Sequence, residues 1–212
     1  MADHLTDEEQ IAQIKDWWSR NGKPLITGGI IAIIGVIGWN SWKNYQTTQS
    51  IVASQQYQAL IQQALGSEKV DLAAVASLAD KLKKEASGTY YDQYGQLILA
   101  KVAVDNNKLD DAVAILQNVA NKPVDPVVGQ IARLHLAQVL LAQSKGQEAL
   151  AALEGTKTPQ AYIATHEELR GDILLSLNRP DDARVAYQKA RDSLADTAPL
   201  GVLEVKLDDL AK

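Results

Sequence analysis

The chain has no cysteine, no phenylalanine, one methionine, three histidines and only six prolines in 212 residues. Each scarcity excludes something. Without cysteine there is no disulfide framework, no cysteine-ligated zinc and no thiol nucleophile. His4, His135 and His166 lack metal-ligand spacing to one another, and none falls in an H-E-x-x-H pattern. The net charge is −5 with no basic block, so the clustered lysine and arginine that nucleic acid requires are missing. There is no G-x-S-x-G elbow, no Walker loop and no G-x-G-x-x-G. No enzyme activity and no cofactor are expected. The acidic pairs Asp110-Asp111 and Asp181-Asp182 fall near predicted helix starts, where they complement the helix macrodipole.

What the chain does have is alanine, leucine, glutamine, lysine and glutamate in abundance. These are strong helix formers, and an all-α protein is expected.

Lys23 and Lys43 bracket an uncharged run from Pro24 to Trp42, P-L-I-T-G-G-I-I-A-I-I-G-V-I-G-W-N-S-W. Nineteen helical residues reach about 28 Å, close to the roughly 30 Å of a bilayer's hydrocarbon core. Eight are leucine, isoleucine or valine, contributing very roughly −2 to −5 kcal/mol to insertion. Trp17 and Trp18 precede the run, and Trp39, Trp42 and Tyr45 close it, as in interfacial aromatic belts. A transmembrane helix over residues 24–42 is the reading. A buried soluble helix and a cleaved signal peptide are the rivals, and Trp39-Asn40-Ser41-Trp42 lacks the small-x-small cleavage pattern.

Lys15, Arg20 and Lys23 stand before the segment. After it stands Lys43, with no further charge until Glu68. That bias puts residues 1–23 in the cytoplasm and residues 43–212 outside it, in the periplasm of a bacterium with two membranes. Gly28 and Ala32 form a small notch of the kind that lets membrane helices approach. In the tail, Thr6 and Glu9 have capping-box spacing. Leu5, Ile11, Ile14 and Trp18 share a helical face, suited to the membrane surface or to a cytoplasmic partner.

The rest of the chain repeats. Stretches beginning at Leu97, Leu134 and Glu168 each place a small residue twelve positions before an alanine: Ala100 with Ala112, Ala137 with Ala149, Gly171 with Ala183. Polar turns lie between, at Asn106-Asn107-Lys108, Ser144-Lys145-Gly146 and Asn178-Arg179-Pro180. Four residues after each alanine comes a large apolar side chain, Leu116, Leu153 or Tyr187. The pattern predicts helix hairpins in which small residues allow close packing and the large residue fills the gap toward the next hairpin. It resembles the tetratricopeptide repeat (TPR). The repeat's usual tryptophan is replaced by Gln96, Arg133 and Glu167, and Pro123, Pro159 and Pro199 are loosely placed. Ala64 and Ala76 suggest a fourth copy, its first helix running from about Tyr45 to Leu65 with Tyr57, Leu60, Ile61, Ala64 and Leu65 on one face. Leu200, Leu203, Leu207 and Leu210 predict a helix capping the array.

If the TPR register holds, Tyr94, Leu97, Lys101 and Val104, then Ile131, Leu134, Gln138 and Leu141, then Glu168, Asp172 and Leu175 face a concave protein-binding groove. If it is displaced, or another helix covers them, they are core.

The segments D-W-W-S-R-N-G-K, I-G-W-N-S-W-K, A-S-Q-Q-Y-Q-A-L, R-L-H-L-A-Q-V and E-L-R-G-D-I-L-L-S together resemble the YfgM-type ancillary subunits of the SecYEG protein translocon. The resemblance covers nearly the whole chain. It implies an inner-membrane protein with a periplasmic C-terminal domain, associated with SecYEG and with the periplasmic chaperone PpiD. It also implies a part in handing newly exported client proteins to folding factors, and an influence on an envelope stress regulator in the cytoplasm. A generic TPR-like envelope scaffold, unconnected with the translocon, is the alternative.

Overall fold

The computed structural model describes residues 7–66, 70–154, 157–194 and 201–210. Among these, nine α-helices occur and no strand: α1 Asp7–Leu65, α2 Leu72–Glu85, α3 Tyr90–Asp105, α4 Leu109–Asn121, α5 Pro126–Ala142, α6 Gly146–Leu153, α7 Ile163–Ser176, α8 Pro180–Asp192 and α9 Val202–Asp209, with a 3₁₀ turn at Gln160–Tyr162. The all-α expectation holds. The chain forms two compact units, Met1–Ile51 and Val52–Lys212.

The first unit is carried by α1. This is the one helix among the described residues long and apolar enough to cross a membrane, and none of its apolar window is buried. Ile30, Ile31, Ile33, Ile34, Val36 and Ile37 are all exposed. In water each would forgo roughly 1.5–3 kcal/mol of burial, so a soluble core helix does not describe it. Pro24 lies inside α1, where its ring removes one backbone hydrogen bond. Around it Asn21 Nδ2 donates to the Trp17 carbonyl at 3.0 Å and Thr27 Oγ1 to the Lys23 carbonyl at 2.9 Å. Trp39 and Trp42 meet edge to face, 5.6 Å between centroids. Gly28 has open space where a Cβ would stand. Leu5, Thr6 and the side chain of Glu9 lie outside what is described.

In the second unit each helix from α2 onward packs on the next, and α5 also meets both α3 and α7. The first helices of successive hairpins thus form one layer. The paired small residues explain the closeness: Ala100, Ala112, Ala137, Ala149 and Ala183 are all buried. The C-terminal stretch of α1 joins this unit, with Leu60 and Ala64 packed among Val75, Ala79, Leu99 and Val102. It is continuous with the apolar segment. Ile61 is half-buried and Leu65, the last residue of the helix, is exposed.

Three turns close in the same way. Asn107, Ser144 and Asn178 hold positive φ of 57°, 60° and 57°. The next N–H reaches back five residues, Lys108 to Ala103, Lys145 to Leu140 and Arg179 to Leu174, at 2.8, 2.9 and 3.0 Å. This left-handed closure satisfies carbonyls that a helix end leaves unpaired. Asp71, Thr89 and Asp125 cap α2, α3 and α5 from their side chains.

Two packing details add to the sequence reading. Tyr187 packs onward against Leu203 of α9, and it also folds back. Its ring lies on Gly171 of its own hairpin, and its hydroxyl donates to Asp172 Oδ1 at 2.7 Å. The positions that replace the tryptophan carry polar joints instead. Arg133 donates to the Ala120 carbonyl at 3.1 Å. Buried Glu167 accepts from Lys189 at 2.6 Å and lies 3.5 Å from Arg170. Arg133 ties α5 to the end of the helix before it, and Glu167 ties α7 to α8.

The terminal helix α9 buries Leu203 against Leu174, Ala183 and Tyr187, with Leu207 and Leu210 partly buried beside them. Pro199 and Leu200 lie outside the described residues.

Candidate protein-binding groove

α3 and α5 present one wall each to a cavity of about 510 Å³. Tyr94, Leu97, Lys101 and Val104 line it from α3, spaced three or four apart on one helical face. From α5 come His135, Gln138 and Val139, and Tyr57 of α1 closes one end. The wall is mostly hydrocarbon and ring. Its charged and amide side chains have local partners: Lys101 Nζ meets Asp105 Oδ2, outside the cavity lining, at 2.5 Å, and His135 Nδ1 meets Gln138 Oε1 at 3.1 Å. Both pairs span one helical turn, so local helix geometry sets them.

Tyr94 stacks on Tyr90, 6.2 Å between ring centroids. The Tyr90 hydroxyl shares a hydrogen bond with Asp125. That bond, helped by backbone N–H groups of Val128 and Val127, holds the Asp125 carboxyl below its usual value. The same bond raises the Tyr90 hydroxyl. The cap of α5 and the aromatic edge of the cavity are therefore coupled.

The remaining predicted groove positions separate into groups. Leu134 is part of the main buried cluster, and Leu141 packs partly buried against it. Ile131 is half-buried. On α5 the cavity-facing set is His135, Gln138, Val139 and Ala142: Gln138 is where equal spacing put it, while His135 and Ala142 stand one residue on from Leu134 and Leu141. A single-residue offset turns a helix by about 100°, enough to send Leu134 into the core. Glu168 and Asp172 are not among the residues lining this cavity; they meet Lys206 of α9, each at 2.8 Å. Leu175 is exposed. Tyr57, His135, Val139 and Ala142 at the cavity, and Lys206 beside Glu168 and Asp172, are among the participants the spacing argument missed. Only Tyr57 left a signal, its place on the apolar face of the α1 extension.

Among the described residues no group of three or more His, Cys, Asp or Glu could hold a metal ion.

The tetratricopeptide repeat-like domain family matches residues 15–212. A protein of Aggregatibacter actinomycetemcomitans named ancillary SecYEG translocon subunit is 30% identical over 210 residues, 99% of this chain and 100% of the relative. The chain belongs to that family. Relatives of the same name from Haemophilus influenzae and Escherichia coli are each 29% identical, covering 91% and 97% of this chain and 92% and 97% of their own lengths. The family match begins at Lys15, so the apolar part of α1 belongs to the shared module as much as the hairpins do. The resemblance carried by D-W-W-S-R-N-G-K and I-G-W-N-S-W-K therefore holds.

Proposed function

We propose that this chain is a membrane-anchored adaptor of the SecYEG translocon, inserted through residues 24–42, with its N-terminus cytoplasmic and its helical hairpins in the periplasm. It helps pass exported proteins to periplasmic chaperones, with PpiD and the exported clients as its partners. The observation that carries this reading is the full-length similarity to ancillary SecYEG translocon subunits, joined to an apolar cavity lined by Tyr94, Leu97 and Val104. Tethering supplies the mechanism. An anchor at the translocon raises the local concentration of a weak binding surface, so modest affinity suffices. An apolar cavity of this size takes the side chains of a polypeptide and calls for no chemistry on them.

In vivo photocrosslinking from Leu97, Val104 and Gln138, with mass spectrometry of the adducts, tests the reading. Adducts to translocon subunits, a periplasmic chaperone or exported chains are expected. Adducts only to cell-division or outer-membrane assembly proteins would replace it with an envelope scaffold unconnected with the translocon. Orientation is tested separately. The chain has no cysteine, so Ile11→Cys and Leu65→Cys each introduce a single, exposed thiol. An impermeant maleimide should label Leu65→Cys from the periplasmic side, and Ile11→Cys only after permeabilisation.

A further inference from the structure

Glu168 and Asp172, the groove positions that the repeat register assigns to the third hairpin, are already occupied, by Lys206 of α9. Lys206 of α9 places its ammonium 2.8 Å from both Glu168 Oε1 and Asp172 Oδ1, and 5.6 Å from the centre of the Tyr187 ring. Leucines flank it at −3, +1 and +4, and all three pack with Leu174 and Tyr187. Leu175, one residue past Leu174 and three past Asp172, stays exposed. So α9 binds this hairpin as a ligand would, through one apolar stripe and one lysine.

The hold is weak. α9 has eight residues, too few for a stable helix by itself. The side chains of Lys206, Glu168 and Asp172 keep 25%, 36% and 33% exposure. Ion pairs in such settings are modest and screened by salt.

We propose that α9 is an autoinhibitory strap, covering the concave face of the third hairpin until an amphipathic helix of a partner protein, with a lysine flanked by apolar residues, displaces it. The inference rests on the concave face being the binding face. The partner's chemistry follows from the complement it must match. Two carboxylates four residues apart on α7 accept one ammonium, Leu174 and Tyr187 accept leucine-like side chains, and an acidic helix is repelled.

The test uses the full-length chain in native membranes, with a photocrosslinker at Leu175. Lys206→Ala removes the charge contact and leaves the buried Leu203 anchor, so folding is retained. Adduct yield from Leu175 to a partner protein should rise roughly 3- to 10-fold, the range that losing two partly exposed ion pairs allows. Lys206→Arg should return it to the wild-type level. An unchanged or lower yield in Lys206→Ala overturns the strap. Crosslinks from Leu97 and Gln138 in the wild type report on the adaptor reading independently. If those persist while Leu175 does not respond, only the strap fails. If those are absent, the adaptor reading itself fails.

Discussion

Gly171 and Tyr187 are a matched pair. A Cβ at position 171 would stand 2.3 Å from Tyr187 Cε1 and 2.5 Å from Cδ1. Tyr187 is fully buried and its hydroxyl is held by Asp172, so the ring has nowhere to go. In the two preceding hairpins the same positions are Ala100 with Leu116 and Ala137 with Leu153. The smaller partner tolerates the extra methyl, so the hairpins keep the summed volume and vary how it is divided.

That relationship predicts a compensated double substitution. Gly171→Ala alone should destabilise the hairpin domain by about 1–3 kcal/mol, as overpacking of a filled core does. Tyr187→Leu alone should also destabilise it, by opening a cavity and leaving Asp172 short of a donor. Combined, they rebuild the alanine–leucine pair of the other hairpins and should cost less than the sum. Urea melts of the four proteins measure the coupling, and strict additivity would show that the two residues do not share one space.

Ser144 is the odd member of the three left-handed turns. Asn107 and Asn178 tolerate positive φ through their short polar side chains, and serine does so less well. Ser144→Gly should stabilise by about 0.5–1 kcal/mol, raising Tm by about 1–4 °C for a domain of this size. A fall in Tm would mean that the serine hydroxyl supports the turn.

Asp125 gives a pH signature. Its folded value is depressed, first by the Tyr90 hydroxyl and then by the backbone N–H groups it caps. The stability it contributes is therefore fully present above its ordinary value of 3.8 and is lost as pH falls through the lower folded value. Asp125→Asn should flatten the acid limb of a plot of urea midpoint against pH below about 4. Tyr90→Phe should move that limb upward in pH. If both variants trace the wild-type curve, other carboxylates carry the acid transition.

The proposed membrane anchoring rests on a moderate apolar sum, so one charge should matter. Ile34→Arg adds roughly 2.5–3.5 kcal/mol at the middle of a segment worth very roughly −2 to −5 kcal/mol. A large share of the protein should then become extractable by alkaline carbonate. Complete retention in the membrane fraction would show that something other than residues 24–42 holds the chain there.

Much of this architecture was legible because it follows from local rules. Helix formers with few prolines dictate helices. An uncharged, tryptophan-flanked run between Lys23 and Lys43 marks the apolar, exposed part of α1. Small residues twelve apart around Asn106-Asn107, Ser144-Lys145 and Asn178-Arg179 mark the hairpins. All of these act over one or two helical turns, where sequence distance and spatial distance nearly coincide.

The rest depends on rotation and on contacts between distant segments. Whether Leu134 or His135 faces the cavity is a matter of about 100° of helix rotation, set by how α5 packs on α4 and α7 and not by α5 alone. That Tyr187 folds back onto Gly171 depends on the space between two helices, which no spacing rule states. That Lys206 reaches Glu168 and Asp172, 38 and 34 residues earlier, depends on α9 returning across α7. The sequence by itself determined that there would be a long apolar helix and a row of hairpins. The tertiary structure decided which side chains line the cavity, because side-chain exposure is set by neighbours that only folding brings together.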